Sequence, residues 1–319
     1  SKRRSNMSTS VRVGTESTAT LGGRRETLIS RIARQTGRMG LLFPAVALMA
    51  VFLVGPIAYS VYGSLTNAAL SGYKAANPEF VGLENYTELL TSNAFWKAVL
   101  LTVIFVFASA VVGQNILGLA LAMLMRKAPK ILSTLVGGVV VIAWVMPEIV
   151  AAFALYAFFS TDGTLNVLLS YIGLGGTTWL LTFPMFSVIM ANIWRGTAFS
   201  MMVYSAALAE VPPDIQEAAK VDGARGWQRF FFVTLPMIKG SISTNLLLTT
   251  LQTLGVFTLL WVMTGGGPGT QSTTLPVMAY QEAFKNSLIG YGTAIATVTI
   301  VLGALFALVY IRALKPEVD

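Results

Sequence analysis

Two charges stand inside runs that are otherwise apolar, Glu148 and Arg195. A charged side chain at the centre of a membrane helix costs about 2.5–3.5 kcal/mol on insertion scales, so both must face protein or water. They either pair as a structural ion pair that fixes a bundle or line a polar passage. With no histidine and no cysteine in the chain, the commonest metal ligand and proton shuttle are missing, as is thiolate chemistry. Glu148 with Asp162 forms no nucleophile–base arrangement, which weakens an enzymatic reading. The chemistry on offer is charge and hydrogen bonding. A second polar block lies at 212–236, PPDIQEAAKVDGARGWQRFFFVTLP, where Asp214, Glu217, Lys220, Asp222, Arg225 and Arg229 sit between long apolar runs. A membrane protein that leaves such a block between two spans has a soluble partner to meet there.

The elements that must position these groups are set by composition. Of 319 residues, 55% are hydrophobic and 11% charged, whereas a soluble domain is about a quarter charged. The expected fold class is therefore an all-α integral membrane protein. Runs long enough to cross a hydrocarbon core of about 30 Å fall at 41–63, 98–125, 132–159, 179–208, 237–263 and 287–312. All six are expected to be helices, because only a helix satisfies its own backbone in lipid outside a closed barrel. The run at 41–63 is too long for a removable secretory leader and has five more behind it.

Charge sets the orientation. Segments 1–40, 126–131, 209–240 and 312–319 hold 9, 3, 4 and 2 cationic residues, against Lys74, Lys97 and Lys285 in the other loops. This positive-inside bias puts both termini and the 212–236 block in the cytoplasm. The expected organisation is a largely disordered basic tail at 1–38, with a short basic helix at 26–38, then a six-helix domain at 39–315 containing the loop 209–236, and a cytoplasmic end at 316–319. Trp96, Trp179 and Trp261 lie near span ends as interface anchors, and Gly113, Gly118, Gly137, Gly138 and Gly303 are expected to permit close helix contact.

Within the polar block, Pro212 and Pro213 end the preceding span. Asp214 is expected as N-cap with Glu217 three residues later, and Gly223 as the C-terminal cap. Ile215, Ala218, Ala219 and Asp222 share one face at helical spacing, leaving a thin helix that fits a cleft. Trp227 to Val233 form a second amphipathic piece, and Pro236 is expected to bend the chain into the bilayer.

Glu217-Ala218-Ala219, three residues, Gly223, nine residues, Val233, one residue, Leu235-Pro236 resembles the EAA loop of permease subunits of binding-protein-dependent ABC importers, with Val233 in place of isoleucine. NIWRG from Asn192 and LWVMTGGGPG from Leu260 are similar to the carbohydrate, maltose-type branch. The resemblance covers about 41–315 and implies a cytoplasmic coupling helix seated in an ATPase subunit. By resemblance Glu217 contacts the ATPase, Ala218 and Ala219 let the helix seat beside Asp222, and Gly223 makes the turn. The implied partners are a second homologous permease, two ATPase subunits that bind ATP and magnesium, and an extracytoplasmic solute-binding protein docking on loops 64–97, 160–178 and 264–286. No nucleic acid is implied. The chain holds no G-x-x-x-x-G-K-[ST], so it is read as a transporter subunit without cofactor or catalytic residue, and the glycine run at 265–269 is read as a turn.

Carried over position by position, the resemblance places the substrate pathway at Trp144 and Glu148, at Asn192, Arg195, Gly196 and Phe199, and at Thr249, Thr253 and Val256. Trp144 and Phe199 offer flat faces to a sugar ring, and Asn192, Thr249 and Thr253 offer hydroxyl-matching donors and acceptors. Charged Glu148 and Arg195 and apolar Val256 depart from the maltose pattern. The expected function is import of a di- or oligosaccharide across the bacterial inner membrane by alternating access. The runner-up keeps the machinery and changes the solute to a glycerol phosphate ester or polyol greeted by Arg195. An ion-coupled transporter using Glu148 is weaker, since no internal repeat is visible.

Overall fold

The computed structural model describes residues 43–313, so the basic tail at 1–38, its helix at 26–38 and the end at 316–319 lie outside the described residues. The chain divides into two compact units, Ser1–Pro56 and Ile57–Asp319. Among the described residues every regular element is helical, and the one extended pairing is an isolated bridge between Thr66 and Phe80.

Among the described residues, four helices are long and apolar enough to cross a membrane: Phe43–Gly63, Asn93–Lys127, Glu148–Tyr171 and Ile289–Arg312. A fifth candidate is the pair Gly226–Met237 and Lys239–Leu254, bent by 70°. The helix Pro184–Ala209 has the length, 26 residues, but Asn192, Arg195, Thr197 and Ser200 dilute its apolar character.

The six expected runs are therefore not six unbroken helices. The run at 132–159 splits into Lys130–Val145 and Glu148–Phe159, with Met146 at φ −57°, ψ 133° and Pro147 at φ −52°, ψ 136° between them. Proline forces its predecessor out of the helical region and removes an N–H donor, so the break is local chemistry. The run at 179–208 opens as a short turn, Trp179–Thr182, before Pro184 starts the long helix. The run at 237–263 separates into Lys239–Leu254 and Thr258–Met263 around Gly255 and Phe257. The bend into Lys239–Leu254 falls at Ile238, two residues past the expected Pro236.

Pro184–Ala209 is the central strut of the second unit. It buries a face from Pro184 to Leu208. Asn93–Lys127 lies along it, with a π-helical stretch at Val106–Gln114. Gly118 makes the closest approach: a Cβ there would lie 2.4 Å from Ser200 Cβ and 2.9 Å from the Met201 backbone nitrogen. Without a hydrophobic force between helices in lipid, such small-residue contact is what packs them. Gly113 does the same against Ile193. Gly138 departs from expectation: a Cβ placed there would have nothing within 4 Å.

Below Gly118, Ala122, Met201, Tyr204, Leu208, Val211 and Ile238 form one apolar cluster. Arg126 donates from Nη1 to the Leu208 carbonyl at 3.1 Å. Together these tie the ends of three helices to the base of the 212–236 block.

Candidate functional site

The two helix breaks meet. Glu148 opens the helix that follows Pro147, and its Oε1 accepts the Leu259 N–H at 3.3 Å, in the first turn of Thr258–Met263. That amide has no partner inside its own short helix. Oε2 of the same carboxylate lies 3.9 Å from Arg195 Nη2. The side chains of Arg195 and Glu148 remain 27% and 29% exposed. Arg195 Nε is buried with no hydrogen-bond partner. One turn along from Arg195, Phe199 packs its ring 6.0 Å from that of Trp144 at 31°. Four predicted pathway residues from two sequence runs therefore form one cluster: Trp144, Glu148, Arg195 and Phe199.

Of the other five, Asn192, Thr249, Thr253 and Val256 are buried inside the bundle and Gly196 is partly buried. Asn192 is 3% exposed and donates from Nδ2 to Ser109 Oγ at 2.8 Å and to Thr253 Oγ1 at 3.3 Å. Its backbone carbonyl accepts from Gln114 Nε2 at 3.0 Å. Gly196 leaves room for that glutamine, since a Cβ would fall 2.3 Å from its side-chain carbon. Thr249 donates to the Asn245 carbonyl at 2.8 Å, and Val256 is buried among Leu259 and Leu260. In this arrangement the hydroxyls and amides of these residues are engaged with protein partners inside the bundle.

Around them lies a network that no sequence motif marks. Asn245 Nδ2 donates to Asn115 Oδ1 at 2.8 Å and to Ser200 Oγ at 2.9 Å. Tyr204 donates its hydroxyl to the same Asn115 oxygen. Asn115 Nδ2 donates to the Ala110 carbonyl, in the π-helical stretch, at 2.6 Å. Three helices are joined through amides that water does not reach. The available signal was the amides themselves: Gln114, Asn115 and Asn245 stand in apolar runs, where an unpaired polar group is costly. A neighbouring cleft of about 570 Å³ is lined by Leu155, Phe158, Leu165, Phe186, Met190 and Trp194. It contains none of the predicted pathway residues and suits an apolar occupant, not a polyol.

The polar block folds as a helix, Pro213–Val221. Its N-cap is Pro212, two residues before the expected Asp214, and makes no side-chain cap bond, so Asp214 lies in the first turn. Proline at the first helical position has no N–H to satisfy and its φ is already helical, which removes the need for an Asp214 cap. The C-terminus meets expectation. Gly223 has φ +83°, its N–H bonds the Lys220 carbonyl at 3.1 Å, and the Ala224 N–H bonds the Ala219 carbonyl at 3.0 Å. This is the Schellman pair, and it requires the left-handed residue that glycine supplies. Glu217, Ala218 and Asp222 are exposed, Ala219 is partly exposed on the same helix, and Val221 is 86% exposed. After Gly223, Gln228 Oε1 accepts the Arg225 N–H at 2.7 Å to start Gly226–Arg229. Trp227, Phe231 and Phe232 stay exposed beside it. The helix is closed at its C-terminus and exposed over most of its length.

Residues 114–319 match the family described as binding-protein-dependent transport system inner membrane component. The chain is 31% identical to the trehalose/maltose transport system permease protein MalF of Thermococcus litoralis, over 89% of this chain and 96% of that one. It is 33% identical to the sulfoquinovosyl glycerol transport system permease protein SmoG of Agrobacterium fabrum, over 87% and 90%. Among solved structures, it superposes with a TM-score of 0.75 and 23% identity on a chain of the bacterial alginate ABC transporter in complex with alginate pentasaccharide-bound periplasmic protein, covering 90% of this chain and 97% of that one.

Proposed function

The chain belongs to the family of binding-protein-dependent transport system inner membrane components, and from that premise we propose that it is the sugar-conducting permease subunit of an ATP-driven importer. The observation that carries the reading is the exposed Pro213–Val221 helix. It presents Glu217, Ala218, Ala219 and Asp222 and ends on Gly223 in the left-handed conformation. In this reading it is the cytoplasmic coupling helix, seated in a partner ATPase that binds ATP and magnesium.

Six spans then cross the inner membrane with both termini in the cytoplasm, two of them broken and one represented by Pro184–Ala209. Closure of a pair of ATPase subunits moves the coupling helix. The Ala122–Tyr204–Val211–Ile238 cluster and Arg126 pass that motion to three helices as rigid-body rocking, which gives alternating access. A second homologous permease completes the passage, and an extracytoplasmic binding protein delivers solute to loops 64–97, 160–178 and 264–286. The relative described for trehalose and maltose supports a neutral glycoside as cargo, and the one described for sulfoquinovosyl glycerol, whose sulfonate is anionic, goes with the second reading below. The pathway residues are Trp144, Glu148, Asn192, Arg195, Gly196, Phe199, Thr249, Thr253 and Val256; those now engaged with one another exchange protein partners for solute hydroxyls as the bundle rocks.

The test is pulldown from solubilised membranes followed by ATPase assay with Glu217 intact and as Glu217→Ala. Co-purification of an ATPase whose solute-stimulated turnover drops in the variant is expected. Transport that is unchanged by Glu217→Ala, with no nucleotide-binding subunit recovered, would overturn the reading. A second reading keeps the machinery and makes the cargo an anionic glycerol ester drawn by Arg195. The charge balance around Arg195 separates the two.

A further inference from the structure

We infer that the Trp144–Glu148–Arg195–Phe199 cluster is an electrically neutral subsite that selects an uncharged, polyhydroxylated solute and rejects anions, with Glu148 as the residue that sets this specificity. The inference rests on reading the cluster as part of the solute pathway.

Taken alone, Arg195 would favour an anion. A guanidinium in a partly dehydrated place attracts carboxylate or phosphate, and offers a planar fork of donors to either. The structure does not leave it alone. Glu148 Oε2 stands 3.9 Å from Nη2, a distance that sets the opposite charges side by side without a direct hydrogen bond. The guanidinium therefore keeps donors for a ligand while its charge is cancelled. Its Nε is buried without a partner. The carboxylate keeps acceptor capacity too: Oε1 takes one N–H, from Leu259 at 3.3 Å, and a carboxylate has about four acceptor sites.

A donor set and an acceptor set side by side, with no net charge, match a hydroxyl, which both donates and accepts. Neighbouring hydroxyls on one ring span such a pair without an unpaired charge. A phosphate or sulfonate in the same place would meet the Glu148 carboxylate as a like charge. The flanking rings of Trp144 and Phe199, 6.0 Å apart, add apolar faces for the C–H side of a sugar ring. Glu148 is also held where it is by its position: Pro147 breaks the helix just before it, and the break between Leu254 and Thr258 supplies the amide it accepts. Its placement across two helix breaks fixes the balance that specificity depends on.

The chain has no cysteine, so one thiol can report the local potential without knowledge of the solute. Phe199→Cys is introduced in the assembled transporter, and its labelling by anionic sulfonatoethyl and cationic trimethylammonioethyl methanethiosulfonate is followed by mass on this chain. In the otherwise unchanged protein both reagents are expected to react, with a rate ratio within about threefold of that for a free thiol. Glu148→Gln should shift the ratio about tenfold toward the anionic reagent and Arg195→Gln about tenfold toward the cationic one, the scale of one unit charge a few ångströms away. The double variant should return to the starting ratio. A structural defect alone would move both single variants in the same direction. A starting ratio that already favours the anionic reagent tenfold, no labelling by either reagent, or single variants that leave the ratio unchanged would each overturn the inference. The Glu217→Ala assay is independent of these rates, so the importer reading and the neutral-subsite inference fail separately.

Discussion

The buried amide network and the Pro213–Val221 helix are both polar intrusions into an apolar chain, and they are handled in opposite ways. Asn115, Asn192, Tyr204 and Asn245 are buried, and their donors are spent on Ser109, Ser200, Thr249, Thr253, the Ala110 carbonyl and one another, while Asn245 Oδ1 is left without a partner. Glu217, Ala218 and Asp222 are exposed, and the helix that carries them closes only its own C-terminus. Polarity by itself therefore says little about role. Polar groups that pair internally hold helices together, and polar groups left open on a well-capped helix are available to another molecule. The Glu148–Arg195 pair falls between the two: partly exposed, partly paired, and so able both to hold helices and to meet a solute.

The comparison breaks most visibly at the contact that brings the network together. Gly118→Leu would drive side-chain atoms into Ser200 and the Met201 backbone, destabilising the protein by about 3 kcal/mol or more. Size-exclusion of the detergent-solubilised permease should then show loss of the monodisperse peak, and an unchanged peak would refute the close-packing account. Asn245→Leu comes next. It removes one of the two donors to Asn115 Oδ1, leaving that of Tyr204, and takes the amide donor from Ser200 Oγ; stability should fall by about 2 kcal/mol, read as a reduced midpoint in thermal unfolding, and an equal midpoint would mean the network is dispensable. Glu217→Ala sharpens the contrast from the other side. Solute-stimulated ATPase activity of the assembled transporter should fall about tenfold, equivalent to about 1.4 kcal/mol, with the unfolding midpoint of the permease unmoved. A shifted midpoint would place Glu217 among the structural residues instead. The smallest effect is expected for Gly223→Ala. Nothing lies within 4 Å of the added methyl, so only the left-handed backbone opposes it, at about 1 kcal/mol. Amide exchange at Gly223 and Ala224 should quicken about fivefold, and unchanged exchange would show that the cap tolerates a side chain.

Much of the molecule is legible from residue order. The helical class follows from apolar runs that only a helix satisfies in lipid, and the Pro213–Val221 helix is marked by its prolines, its glycine and its charge. Gly223 is readable as a cap because a left-handed residue leaves a local signature. Asp214 resembles an N-cap in sequence but is not one, because Pro213 already provides a start that needs no side chain. The six runs are readable as apolar but not as interrupted, although Pro147 and Pro184 carry the signal for two of the breaks. Gln114, Asn115 and Asn245 give little away, because an amide in an apolar run says that a partner exists without saying which.

The sequence alone determined what is local: membrane class, the positions of the apolar runs, a capped polar helix between two of them, and the two intramembrane charges that had to find partners or water. Only the tertiary structure decided what depends on residues far apart in the chain. It joined Glu148 to Leu259 and Arg195 across two helix breaks. It buried Asn192, Thr249 and Thr253 among amides from other helices and left Trp144 and Phe199 beside the charge pair. Helix formation is governed by bonds four residues apart, whereas pairing is governed by which faces meet when helices pack. A chain with its apolar runs in order still leaves that second choice open.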